Sequence, residues 1–107
     1  MVQRVTITTD RPVDLKPLVE SAIRSEVRML EIGLERTRQR LRTFEERYRW
    51  TSEDFECRFN AGDVAESLDF IEWAGEIKTH QLLEAHRQAL QGVRLSCMFT
   101  PPAIRSA

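Results

Sequence analysis

Apolar side chains in the first half of the chain recur at alternating steps of four and three. Ile23, Val27, Leu30, Leu34, Leu41, Phe44 and Tyr48, with Thr37 at one step, follow this rhythm without a break. Such spacing holds one stripe toward a neighbouring helix, as a coiled coil or a helical hairpin requires. It predicts a helix from about Leu15 to about Tyr48, about 50 Å long at the α-helical rise. A compact domain of this length has a radius of gyration of about 13 Å, so the helix must project or pair. The stripe is therefore read as an oligomer seam, with a dimer as the first assembly to expect. Asp14 stands where a carboxylate caps the first turn, and Pro17 comes early enough to be tolerated.

The rest of the pattern is shorter in period. Arg4-Val5-Thr6-Ile7-Thr8-Thr9 alternates apolar and polar with β-branched residues, which predicts a short strand broken by Asp10-Arg11-Pro12. Thr51-Ser52-Glu53-Asp54 opens a second, short helix with Phe55 and Phe59 on one face, and Gly62 is suited to the left-handed end of it. Asp63 is expected to cap a third helix from about Val64 to Gln91, stopped by Gly92. Val93, Leu95, Cys97 and Phe99 then alternate with Arg94, Ser96 and Met98 as a second strand, and Pro101-Pro102 ends it in a tail, residues 97–107. The fold expected is one mainly α domain over residues 1–107. It is a long antiparallel helical hairpin with a short connecting helix, and its terminal strands meet at one end, where they pair with each other or with another chain.

The third helix carries apolar side chains on two sides. Leu68, Ile71, Ala74, Leu82, Leu83, Ala85, Ala89 and Leu90 form a main stripe, with Gly75 open to a close backbone approach. Phe70, Trp73 and Ile77 form a second patch, rimmed by Glu66, Asp69, Glu76 and Glu84. An aromatic patch with an acidic rim has the composition of a protein-binding hot spot, which makes Asp69, Phe70, Trp73, Glu76 and Ile77 candidate partner-binding residues. The alternative is that the patch fills the core of a bundle or dimer.

Charge is segregated along the chain. Residues 24–49 hold eight arginines against five glutamates, whereas residues 53–76 hold eight acids against Arg58 alone. On helical spacing Arg36 and Arg40 fall on one flank of the seam, and Arg38 and Arg42 on the other. Either the basic and acidic segments face each other and partly neutralise, or the acidic one docks on a basic protein. Arg36, Arg38, Arg40 and Arg42 are also candidate nucleic-acid contacts. A net charge of −1 argues against a general nucleic-acid binder. No apolar run reaches the length of a membrane span, and the N-terminus has no apolar signal core, so a cytoplasmic protein is expected. Cys57 and Cys97 read as two reduced thiols.

Patterns that carry chemistry are thin. Asp69 followed by Glu76-Ile77-Lys78 imitates the carboxylate and lysine set of metal-dependent nucleases, but those residues lie on strands, and here they sit inside a helical pattern. Glu76, His80 and Glu84 are spaced four apart, as in many solvated helix faces, with no further ligand beside them. No phosphate-binding glycine loop or nucleophile elbow occurs. The expectation is a protein that is not an enzyme, with no catalytic residue, metal or cofactor.

Two stretches carry a resemblance. Leu15-Lys16-Pro17-Leu18-Val19-Glu20-Ser21-Ala22-Ile23 with Met29-Leu30-Glu31-Ile32-Gly33-Leu34-Glu35 is one, and Ser52-Glu53-Asp54-Phe55 through Phe59-Asn60-Ala61-Gly62 to Leu68-Asp69-Phe70-Ile71-Glu72-Trp73-Ala74-Gly75-Glu76 is the other. Together they resemble a family of small prokaryotic proteins, common in archaea and cyanobacteria and often encoded beside toxin-like proteins. The resemblance implies an antitoxin-like role, in which the chain neutralises a small partner protein by direct binding. The other reading of the same features is a coiled-coil oligomerisation scaffold with no such partner.

Overall fold

The structure is a computed structural model and describes residues 2–95. Three helices follow one another: α1 (Leu15–Tyr48), α2 (Ser52–Asn60) and α3 (Leu68–Gln91). The molecule is a rod, 69 × 26 × 18 Å, with a radius of gyration of 21.0 Å. Its length follows from α1, which holds no proline after Pro17.

Local chemistry sets the ends of each helix. Arg49 takes the left-handed conformation after α1 (φ 60°), and its N–H donates to the Glu45 carbonyl. The Thr51 hydroxyl accepts from the Asp54 N–H at 3.1 Å at the start of α2, with Glu53 and Asp54 at the positive end of its dipole. Gly62 follows α2 with φ 76°, which a side chain would strain. Asp14 occupies the cap position of α1 but makes no side-chain cap bond. One of the two donors such a cap can use is missing, because Pro17, three residues on, has no N–H.

α1 and α3 pack antiparallel. Cross-helix neighbours run in opposite order along the two helices: Arg47 with Asp69, Arg40 with Glu76, Gly33 with Leu83, Glu31 with Arg87. In this register α3 ends short of the start of α1, leaving roughly ten residues of α1, about 15 Å, beyond it. The α1 seam is thus the inner face of the hairpin. Leu30, Leu34, Thr37 and Phe44 are buried, and Ile23, Val27, Leu41 and Tyr48 are half-buried. The seam read as an oligomer contact is used within one chain.

The core sits at the closed end of the rod, where the three helices meet. Phe44, Phe55, Trp73 and Ile77 form its centre, with Leu41, Tyr48, Trp50, Phe59, Val64, Phe70 and Ala74 packed around them. Trp73 has no exposed surface, and its ring stacks on Phe55 (centroids 4.0 Å apart) and on Phe44 (5.6 Å). Aromatic side chains bury about 150–250 Å² each, so this cluster dominates the energetics of a small chain.

Four expectations are corrected. Residues 4–9 form no strand, because no second strand runs beside them among the described residues and a lone strand leaves its backbone groups unpaired. Residues 93–95 of the second predicted strand are likewise not in a strand, and the remainder of it, with the tail 97–107, lies outside the described residues. α3 starts at Leu68 rather than near Val64, since the Ser67 hydroxyl accepts from the Phe70 N–H at 3.1 Å and Asp63 caps nothing. Finally, the two apolar sides of α3 are sorted by aromatic mass. Trp73 and Ile77 go inside, while Leu68, Ile71, Leu82, Ala85 and Ala89 of the longer stripe stay exposed.

Candidate functional site

The residues singled out on α3 divide sharply in the folded chain. Trp73 and Ile77 are core, and Phe70 is half-buried beside Tyr48, whose ring centroid is 5.0 Å away. In the closed hairpin Trp73 offers no surface to a partner. Its indole N–H donates to the Ser52 hydroxyl at 3.0 Å, and the Ser52 N–H in turn donates to Glu45 Oε2 at 2.9 Å. This short chain of bonds ties α3, α2 and α1 together at one point.

Asp69 and Glu76 face α1. Asp69 Oδ2 accepts from the Tyr48 hydroxyl at 2.5 Å and from the Arg47 guanidinium at 2.7 Å. The Tyr48 bond and then the Arg47 bond hold the Asp69 carboxyl below its ordinary range. The bond to Asp69, then burial and the Asp69 charge, push the Tyr48 phenol up against the opposing pull of Arg47. Glu76 Oε1 accepts from Arg40 at 3.0 Å, and its Oε2 is buried with no partner among the described residues. Toward the open end Arg87 bonds Glu84 and lies 3.9 Å from Glu31, which lowers the Glu84 carboxyl and raises the guanidinium. Basic α1 and acidic α3 therefore neutralise each other in part across the hairpin.

The four arginines proposed as nucleic-acid contacts are not one surface. Arg40 is engaged by Glu76 and Arg38 by Glu35 at 3.5 Å. Arg36 and Arg42 are exposed, on opposite flanks of α1. The Glu76, His80 and Glu84 ladder is also divided, its carboxylates taken by Arg40 and by Arg87 with Gln88. No group of three or more His, Cys, Asp or Glu among the described residues is placed to hold a metal ion. Cys57 is exposed. No helix among the described residues is long and apolar enough to cross a membrane.

What the fold leaves facing outward is more informative. Among the described residues six large apolar side chains form the buried core, while eleven are exposed. Val2, Val5, Ile7, Val13 and Leu18 cluster in the N-terminal segment and the first turn of α1, and Met29 and Ile32 continue along the outer side of that helix. At the other end of the rod Glu53, Asp54, Asp63, Glu66 and Glu72 are exposed and make no ion pair among the described residues. This acidic corner was legible as a charge run, whereas the apolar N-terminal end was read as a strand that would pair. A scan against protein-family models finds no match for the chain, and searches of curated proteins and of solved structures find none either.

Proposed function

We propose that this chain is a protein-binding module, antitoxin-like in the sense its resemblance implies, that neutralises a partner protein by direct contact. The observation that carries the reading is the run of exposed apolar side chains in the N-terminal segment and the start of α1: Val2, Val5, Ile7, Val13 and Leu18. Isolated exposed apolar residues are ordinary, but a contiguous set marks an interaction surface. Val5 and Ile7, at 83% and 54% exposed, alternate along a segment that belongs to no helix or strand. Such a segment adds to the edge of a partner's sheet, gaining backbone hydrogen bonds and placing alternate side chains in its pockets. The unpaired carboxylates of the acidic corner favour a partner with a basic surface and steer its approach. Trp73 and Ile77 serve this role indirectly, by holding the hairpin that displays both ends.

The test is co-expression with the product of the reading frame beside this gene. A stoichiometric complex is expected, weakened at least about tenfold by Val5→Asp with Ile7→Asp, since a buried charge costs well over 1.4 kcal/mol. No complex, or one indifferent both to that variant and to Glu53→Lys with Asp54→Lys, overturns the reading.

A further inference from the structure

The exposed stripe of α3 is a second heptad seam. Leu68, Ile71, Gly75, Lys78, Leu82, Ala85, Ala89 and Gly92 recur at steps of three and four, and all eight are exposed. They face away from both α1 and α2. We infer that this face takes a second copy of the chain, α3 against α3, antiparallel about a two-fold axis.

Shape argues for that occupant and that direction. The two ends of the stripe differ in size, Leu68 and Ile71 at one and Ala85, Ala89 and Gly92 at the other, with Gly75, Lys78 and Leu82 between them. Antiparallel pairing sets Leu68 against the partner's Gly92, Ile71 against the partner's Ala89, and Gly75 against the partner's Ala85. Large then meets small at both ends of the contact, and the small pair of Gly75 with the partner's Ala85 leaves room beside the longer side chains of the central turn. A parallel pair would set Leu68 on Leu68 and Ala89 on Ala89, which makes a wedge. Among the described residues Gly75 has nothing within 4 Å of where a Cβ would stand, so the approach there is open.

Charge argues the same way. The parallel pair would bring Lys78 against the partner's Lys78, whereas the antiparallel pair sets it beside the partner's Leu82, with its stem on the apolar surface and its ammonium in water. On one edge of the stripe Glu72 comes opposite the partner's His86, twice by symmetry, with carboxylate facing imidazole. Such an isologous contact closes on itself and stops at two copies. It also brings the acidic corner of one protomer to the same end as the N-terminal segment of the other. The inference stands independently of the proposed partner protein.

Sedimentation of the purified full chain through a dilution series tests it. A mass of twice 12.5 kDa is expected for the wild type, and the monomer mass for Leu82→Glu and for Ala85→Glu. Both sites are exposed, so helix content and melting of the monomer should be unchanged. His86→Glu should weaken the dimer several-fold, and adding Glu72→Lys should restore it. A wild-type monomer at every concentration overturns the inference. So does a dimer that survives both Leu82→Glu and Ala85→Glu, including one lost instead on Val5→Asp with Ile7→Asp, which would place self-association at the N-terminal segment.

Discussion

The indole N–H of Trp73 donates to the hydroxyl of Ser52 in the buried centre of the molecule, 21 residues apart in sequence and 3.0 Å apart in space. This one bond fixes α2 on α3 and leaves both the Phe55 and the Phe44 rings stacked on Trp73. Ser52→Ala keeps the packing but orphans a buried donor. The expected cost is about 1–3 kcal/mol, seen as a fall of several degrees in melting temperature. Trp73→Ala should cost about 3–5 kcal/mol by opening a cavity. A Ser52→Ala variant that melts like the wild type would mean the indole finds water or another acceptor.

Stability should depend on pH at both ends through Tyr48 and Asp69. The Asp69 carboxyl is held low, so its contribution is present above the ordinary aspartate value and is lost as pH falls through the folded one. The Tyr48 phenol is held high, so its contribution is present below the ordinary tyrosine value and is lost as pH rises through the folded one. Urea denaturation should therefore show a plateau from about pH 5 to about pH 9. In Tyr48→Phe the alkaline loss attached to this pair should vanish, and the acid limb should become shallower, because the folded Asp69 carboxyl moves back toward its ordinary value. Identical profiles for the two proteins would show that the bond contributes nothing.

The two helical glycines that face different surroundings should respond oppositely. A Cβ at Gly33 would stand 3.2 Å from Leu83 Cδ1, in the α1–α3 interface, whereas one at Gly75 meets nothing within 4 Å. Gly33→Ile should destabilise by about 1–3 kcal/mol through overpacking. Gly75→Ala should stabilise the chain by about 1 kcal/mol, the helix-propensity gain alone. Chemical denaturation under dilute conditions, where the monomer dominates, separates them.

Arg40 and Arg36 lie on one flank of α1 and differ only in what they meet. Arg40 bonds a Glu76 whose side chain is 20% exposed, while Arg36 makes no ion pair among the described residues. Arg40→Ala should cost more than about 1 kcal/mol because it leaves a largely buried carboxylate alone, and Arg36→Ala should stay within about 0.5 kcal/mol. Glu76→Gln removes the charge left alone, so it should restore most of the loss in an Arg40→Ala background. Equal effects of the two arginine substitutions would contradict the pairing.

The sequence carried some of these features and hid others, for identifiable reasons. The α1 rhythm was readable because seven turns of one period leave few alternatives, and the facing charges of α1 and α3 were readable as opposite runs. Periodicity named two apolar sides of α3 without ranking them. The ranking came from α2, whose Phe55 supplies the flat surface that Trp73 stacks on, and from Ser52, which accepts its N–H. The strand at residues 4–9 failed because alternation expresses only a local preference, while a strand needs a partner from elsewhere. Asp63 after Gly62 imitated a helix start, and the true cap, Ser67, was passed over because the segment between them looked helical in composition.

On this reading the hairpin stays closed and binds through its outward surfaces. Amide hydrogen exchange, measured on the chain alone and in complex with the product of the adjacent reading frame, tests this most directly. New protection should appear in residues 2–13, in the first turns of α1 and at the acidic corner, with the amides around Phe44, Phe55 and Trp73 unchanged. Faster exchange around Trp73 on binding, with residues 2–13 unaffected, would mean that the hairpin opens and the aromatic core itself is the binding surface.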